Sequence, residues 1–360
     1  MATKPPQIAI LGAGTFVRSQ YIPRLSEISD LIILKAIWSR TEESARGAVE
    51  IARKHFPGVE CKWGDNDLDE IIQDKSITAV AVVLAGQSQV DMSLRMLRAG
   101  KHVLQEKPAA ACISELETAL YNYKSIFAEV PGQPIWALAE NYRFEPGFVE
   151  CKKLIADLGK MMSVQVIVEG SMSSSNPYFS SSWRRNFNGG FILDMGVHFI
   201  AGLRMLVGCE VVSVSARTSH VDTTLPPPDN VSSVFHLENG CSGVFVMVVS
   251  SRSPKIMWRV VGIKGTVQIE RGYQGQHGYL VTVFGEDGQS ESSFFPFSGV
   301  TDELKAFIND VSQQQANKNG GQYEAEPRLS FVEGARDVAV LEAMLESGAK
   351  HGALVHVNKF

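Results

Sequence analysis

Cysteine is scarce here and nowhere paired. The five residues, Cys61, Cys112, Cys151, Cys209 and Cys241, are scattered with no C-x-x-C among them. That pattern argues against a disulfide framework or a zinc site and reads as reduced thiols with no bound metal. No extended run of like charge is present and the net charge is only −5, so the basic stripe that a nucleic-acid partner requires is missing. No apolar run approaches the ~20 residues that span a bilayer. The longest candidates, Ile77–Gly86 and Gly243–Ser250, suit buried strands, and no membrane partner is expected. Met1-Ala2-Thr3-Lys4-Pro5-Pro6 lacks an apolar leader, and Val357-Asn358-Lys359-Phe360 is not a peroxisomal Ser-Lys-Leu. A cytoplasmic location is the expectation. Internal repeats are lacking as well.

What is present divides into two periodicities. A chain of 360 residues exceeds the roughly 250–300 at which single cores stop growing, so two domains are expected. Up to about residue 140, short apolar runs (Gln7–Leu11, Leu31–Trp38, Ala79–Leu84, His102–Gln105, Ile135–Ala139) alternate with helical stretches (Thr41–His55, Leu68–Asp74, Val90–Ala99, Ile113–Ser125). Continuous rather than alternating apolar strands imply a parallel sheet covered on both faces, a Rossmann-type α/β domain over 1–145. After Pro146 the pattern becomes α+β. Helices are expected over Gly147–Leu158, Gly190–Val207, Asp302–Gln313 and Leu329–Ser347. Strands are expected at Ser163–Gly170, Ser213–Thr218, Ser232–Leu237, Cys241–Ser250, Met257–Gly262, Thr266–Ile269 and Tyr279–Val283. Turns such as Glu238-Asn239-Gly240 and Glu286-Asp287-Gly288 make the sheet mostly antiparallel. The second domain is thus 146–360, with its C-terminal helix able to pack back on the first. Ser171–Ser182 is a Ser-rich loop, and Gln313–Gln322 reads as a polar, mobile connection.

The first strand runs directly into Gly12-Ala13-Gly14-Thr15-Phe16-Val17. Gly12 permits the tight turn and Gly14 lets backbone approach a pyrophosphate at a helix N-terminus, the signature of a dinucleotide site. Val17 stands where Gly or Ala is usual. The end of the second strand selects the nucleotide. An acid there would bind the ribose 2′-hydroxyl of NAD(H), whereas this chain has Ser39-Arg40-Thr41. Arg40 can pair with a 2′-phosphate, with hydrogen bonds from Ser39 or Thr41, which favours NADP(H) over NAD(H).

Three further segments carry a family resemblance. They are Ala99-Gly100-Lys101-His102-Val103-Leu104-Gln105-Glu106-Lys107-Pro108, Asn141-Tyr142-Arg143-Phe144-Glu145-Pro146, and Trp183-Arg184 followed by Gly189-Gly190-Phe191-Ile192-Leu193-Asp194-Met195-Gly196-Val197-His198. In order and spacing they resemble the Gfo/Idh/MocA oxidoreductases, plant members included, along essentially the whole chain. The resemblance implies a catalytic set of Lys107, Asp194 and His198, with Ala85, Gln89, Glu106 and Asn141 beside the cofactor. The residue chemistry agrees: a lysine at the carboxyl end of a parallel strand points into the ligand crevice, and Asp194 and His198, four apart, share a helix face. Tyr178, Trp183 and Arg184 are expected near the substrate. Two departures stand out. The usual Thr-Pro-Asn-x-x-His loop is Ala85-Gly86-Gln87-Ser88-Gln89, and Ala201 replaces an acid often found three residues after the histidine.

The expected function is an NADP(H)-dependent dehydrogenase or reductase of a secondary alcohol in a sugar, polyol or glycoside. His198 would move the hydroxyl proton, Lys107 would stabilise charge on oxygen, and Asp194 would position a neighbouring hydroxyl. Alternatives are a dihydrodiol or xylose dehydrogenase-like activity, or a non-catalytic dinucleotide sensor of the same fold. Apolar Val244, Val246 and Val248 on the outer face of the second sheet suggest a homodimer or higher homo-oligomer.

Overall fold

The computed structural model describes residues 4–127, 132–316 and 324–360. They fall into two compact units: Met1–Glu140 with Val300–Glu333, and Asn141–Gly299 with Gly334–Phe360. The division is therefore not the contiguous 1–145 and 146–360 expected from sequence. Residues 300–333 return to the first unit because their side chains find partners there. Thr301 donates to Glu27 Oε2 at 2.6 Å, the Phe331 ring stacks on Trp136 at 3.9 Å, and Ser330 bridges Ala137. Of the connection expected over Gln313–Gln322, residues 317–322 lie outside the described part.

The first unit holds strands β1 (Gln7–Leu11), β2 (Ile33–Ser39), β3 (Glu60–Trp63), β4 (Ile77–Val82), β5 (His102–Glu106) and β6 (Trp136–Ala139). All pairs are parallel, in the order β3-β2-β1-β4-β5-β6. This order reverses between β1 and β4, and ligands bind in the crevice beyond the carboxyl ends of strands at such a reversal. Helices α1 (Ile22–Ser26), α2 (Glu42–Ala52), α3 (Gly64–Gln73), α4 (Gly86–Arg98) and α5 (Ile113–Phe127) connect the strands.

The Gly100-Lys101-His102 motif does structural work at the opposite end of this sheet. Gly100 takes φ +80°, a left-handed conformation that closes the turn after α4. Buried Lys101 donates to the carbonyls of Asp74 and Ile77 at 2.8 and 2.9 Å, capping the end of α3. His102 Nδ1 accepts the Ile135 N–H at 3.1 Å, tying β5 to the entry of β6.

The second unit is built on a nine-stranded sheet. Its strands are β7 (Met161–Ser171), β8 (Val211–Ser219), β9 (Asn230–Leu237), β10 (Ser242–Val248), β11 (Ser250–Gly262), β12 (Gly265–Tyr273), β13 (His277–Gly285), β14 (Ser290–Pro296) and β15 (Val355–His356). Only the β7–β10 pair is parallel. Helices α6 (Pro146–Ala156), α7 (Ser182–Arg185), α8 (Gly190–Val207) and most of α10 (Phe331–Ala349) belong here, whereas α9 (Gly299–Ala316) lies almost wholly in the first unit.

Helix α8 is long and apolar enough to cross a membrane by length and composition, which a search for uninterrupted apolar runs missed because Asp194, His198 and Arg204 punctuate it. It is the core helix of the unit: only Met195, His198 and Met205 escape full burial. Glycine makes the close approach possible. A Cβ on Gly202 would stand 2.6 Å from Phe148 of α6, and one on Gly196 would stand 2.9 Å from Leu341 of α10. Phe148 in turn meets Trp258 edge-on at 4.8 Å, and the Trp258 indole donates to the Phe199 carbonyl at 3.1 Å.

Arg204 of α8 is buried against Asp337 of α10 at 2.8 Å and against Glu210 at 2.7 Å; Arg143 takes the other Asp337 oxygen. Asp337 is 1% exposed. Removing its charge takes an anionic partner from two buried guanidinium groups, so Asp337→Asn is expected to cost about 3–5 kcal/mol in chemical denaturation. A second expectation concerns pH. Burial lowers the His102 pKa from 6.5 to about 4. A histidine whose folded pKa is depressed contributes stability above its unfolded pKa and loses it as pH falls, here between 6.5 and about 4. His102→Gln, which keeps an acceptor for Ile135 but does not titrate, should flatten that part of a melting-temperature profile.

Candidate functional site

Two groups of side chains, one in each unit, correspond to the sites expected from sequence. In the first unit, Gly12 sits at φ +130°, and a Cβ there would lie 2.1 Å from the Val83 carbonyl oxygen. Only glycine lets the turn after β1 close against the end of β4. Gly14 has nothing within 4 Å of its would-be Cβ, so the backbone presents an open cradle. The chain then turns helical at Thr15 and Phe16 with no side chain capping the start. It widens into a π turn over Val17–Tyr21, beginning at the residue that replaces the usual Gly or Ala. Open backbone and uncapped N–H groups are what a pyrophosphate needs, so the residues present fit a dinucleotide.

Arg40 follows β2, is exposed and, among the described residues, makes no ion pair or hydrogen bond. Thr41 caps α2, its Oγ accepting the Ser44 N–H at 3.4 Å, which leaves its hydroxyl proton able to donate. Sequence reasoning missed Arg18. Its guanidinium donates to the carbonyls of Ala13 and Ser44, both at 3.0 Å, and lies over Gly47. Arg18 thereby fixes the glycine turn against the start of α2, where Ser39, Arg40 and Thr41 stand. No local pattern announces this, because the Ser44 carbonyl that ties it to α2 is 26 residues away in sequence.

Ala85 precedes α4, whose N-terminus also lacks a side-chain cap. Gln89, one turn in, is 1% exposed, and its Oε1 has no hydrogen-bond partner in the structure, nor has Ser93 Oγ one turn further. Buried polar atoms left unpaired are costly and mark a place where a ligand or water completes the bonding. At the end of β5, Glu106 is buried and accepts the Tyr21 hydroxyl at 2.8 Å. Burial raises its carboxyl above the usual range and neighbouring Glu140 adds to this, against the opposing pull of Lys107 and Tyr21. Glu106 thus anchors the strand end to the helix after the glycine turn, and half-buried Lys107 follows directly. Asn141, expected beside the cofactor, falls in the second unit and donates its amide to Glu145 at 3.1 Å.

In the second unit the Gly189-Gly190 pair, at φ +70° and +52°, starts α8. Asp194 is 3% exposed and accepts Arg184 Nε at 2.8 Å. The Arg184 guanidinium stacks on the Trp183 ring at 4.2 Å and the Tyr178 ring at 4.5 Å, and reaches Ser181 Oγ at 3.3 Å. The structure therefore does bring Tyr178, Trp183, Arg184 and Asp194 together, as a latch that pins the loop before α8 onto the helix. One turn further, half-buried His198 stacks on Tyr142, the rings 4.8 Å apart and 17° from parallel. Buried Tyr142 is a second residue that sequence reasoning passed over; it was only a letter in a motif. Ala201, fully buried, faces the core. An imidazole with one face against an aromatic ring, next to a buried carboxylate held by an arginine, is equipped to take or give a proton.

Comparison with known proteins identifies the family. The model of an oxidoreductase family with an NAD-binding Rossmann fold matches residues 7–125, and that of the GFO/IDH/MocA C-terminal domain matches residues 148–268. The chain is 30% identical to dehydrogenase FPY6 of Fusarium mangiferae, over 96% of this chain and 97% of that protein. It is 25% identical to inositol 2-dehydrogenase of Rhizobium meliloti, over 79% and 82% respectively. Among solved structures, the inositol dehydrogenase homolog of Azotobacter vinelandii, complexed with NADH and myo-inositol, shares the fold at a TM-score of 0.79 and 17% identity, over 98% of this chain and 97% of that one. Family models covering both units and a relative matched nearly end to end place this chain in the Gfo/Idh/MocA family, as an NAD(P)-dependent dehydrogenase or reductase of CH–OH groups.

Proposed function

We propose that the chain is an NADP(H)-dependent oxidoreductase of a secondary alcohol, or its ketone, in a sugar, polyol or glycoside. The observation that carries this reading is the polar pair on α8. Placing Asp194 and His198 on a helix otherwise buried among apolar residues costs stability, and the fold supplies a stacked ring for one and an arginine for the other. His198 takes the hydroxyl proton in oxidation and returns it in reduction. Lys107 stabilises negative charge on the substrate oxygen. Asp194, kept in place by Arg184, orients a neighbouring hydroxyl. The bound dinucleotide supplies or accepts the hydride. Polyol chemistry is supported by the inositol dehydrogenase relative and the myo-inositol complex.

The nucleotide preference rests on Arg40. No carboxylate ends β2, and the exposed guanidinium beside the α2 N-terminus suits a 2′-phosphate. Arg18 supports it indirectly by holding α2 to the glycine turn. A homo-oligomer formed through the second sheet completes the reading. Phe245 and Met247 of β10 point into the core, which turns Val244, Val246 and Val248 outward, and Val244 stands directly opposite exposed Val234 of β9.

Isothermal titration is expected to show NADPH binding at least tenfold tighter than NADH, a difference of about 1.4 kcal/mol. Arg40→Ser should erase the gap by weakening NADPH alone. Equal affinities in the wild type would refute the phosphate clamp. With a turned-over alcohol in hand, Lys107→Ala and His198→Asn should each lower kcat by roughly 10²–10⁴, with cofactor affinity unchanged for His198→Asn. In light scattering at micromolar concentration the protein should run as a dimer or larger, and Val244→Lys should shift it toward monomer. A wild-type monomer would end the oligomer reading.

A further inference from the structure

Arg271 stands near the end of β12, directly across from Tyr279 of β13. Its Nη2 donates to the Tyr142 hydroxyl, and the Tyr279 hydroxyl joins the same hydrogen-bonded cluster. The guanidinium carbon lies 5.7 Å from the centre of the Tyr142 ring and 5.6 Å from that of Phe297. Arg271 as a whole residue is exposed. Among the described residues Arg271 makes no ion pair. The carboxyl whose field it feels is Glu145, which is buried and already accepts the Asn141 amide at 3.1 Å and the Ser298 N–H at 3.2 Å.

That environment is unusual for an arginine. Two aromatic rings, of Tyr142 and Phe297, and two phenols, of Tyr142 and Tyr279, fix its position, yet none of them cancels its charge. Of five N–H donors only a minority are spent, so a planar fork remains for a carboxylate or phosphate. The fork also stands beside the chemistry, since Tyr142, which it touches, is the ring on which His198 stacks at 4.8 Å. Contrast Arg184, whose charge Asp194 balances.

We propose that Arg271 is the anion-recognition residue of the substrate site. The alcohol handled by this enzyme then carries an acidic group, as in a sugar acid, which docks on Arg271 while a ring hydroxyl reaches His198. This rests on the reading of His198 as the proton-transfer residue, and it narrows the substrate from polyols at large to acidic ones. A planar carboxylate matches the fork best; a sugar phosphate shares the chemistry.

The test is a binding comparison, independent of turnover. D-glucuronate, D-glucose 6-phosphate and D-glucose are titrated by calorimetry into the wild type, with and without NADPH, and into Arg271→Met and Arg271→Lys. Both variants are first checked for wild-type melting behaviour. At least one acidic sugar should bind tenfold or more tighter than D-glucose. Arg271→Met should abolish that advantage while leaving D-glucose unchanged, and Arg271→Lys, which keeps charge but not the fork, should retain part of it. The ratio of glucuronate to glucose 6-phosphate identifies the preferred anion, and should Arg271→Met fail to fold, the reduced advantage in Arg271→Lys carries the test. Equal binding of acidic and neutral sugars, no binding of either anion, or an advantage that survives both substitutions overturns the proposal. So does a loss of NADPH affinity in Arg271→Met, which would give the guanidinium to the dinucleotide phosphates. Failure of NADPH to bind the wild type would instead defeat the cofactor reading, and leaves the anion comparison in the cofactor-free protein intact.

Discussion

Helix α8 is buried on almost every side and still carries three polar side chains, and the second unit is organised around satisfying them. Each receives a partner from a different segment: Arg184 for Asp194, Tyr142 for His198, Asp337 and Glu210 for Arg204. Because an unpaired buried charge costs several kcal/mol, these partners are as necessary to the fold as to any chemistry. The recurring letters of the sequence motifs acquire one explanation. Trp183-Arg184 is a latch on α8, Tyr142-Arg143 is a stacking ring beside an arm of the Asp337 cluster, and the glycines at 196 and 202 let neighbouring side chains reach the helix.

The first unit solves a different problem, closing a parallel sheet tightly enough that backbone can serve as a ligand. Gly12 against Val83 closes it at one end, and Lys101 and His102 tie strand entries at the other. Glu106 belongs to the same scaffold through Tyr21. Most of the Glu-Lys-Pro segment's neighbourhood is thus committed to architecture, and half-buried Lys107 follows directly on it.

How far this was legible in sequence depends on the range of the interaction. Doubly buried strands such as Ala79–Leu84 and His102–Gln105 announce themselves, because burial on both faces leaves continuous apolar runs. Edge strands do not. Glu60-Cys61-Lys62-Trp63 has no apolar run, since one side faces solvent, and Ser290–Pro296 is polar for the same reason. The glycine turn and the Asp194/His198 spacing are local and were visible. Arg18 bonded to the Ser44 carbonyl, Tyr142 stacked on His198, and the return of residues 300–333 to the first unit are all long-range, and periodicity carries no trace of them.

The charges around His198 bear on the choice of substrate. Ala201 stands, fully buried, where the family often has an acid, and the Asp194 carboxylate is engaged by Arg184. Arg271 adds a cation beside the ring that supports His198, and Glu145, the carboxyl whose field it feels, is already engaged by the Asn141 amide and the Ser298 N–H. A half-site built for a neutral polyol gains nothing from that excess, because hydroxyl groups are bound as well by neutral donors, and an uncompensated charge repels every other cation. An acidic substrate supplies the missing negative charge itself. The arginine at 271 thereby bears on the substrate proposed above, because a planar guanidinium with unspent donors is matched by a carboxylate or phosphate rather than by a hydroxyl.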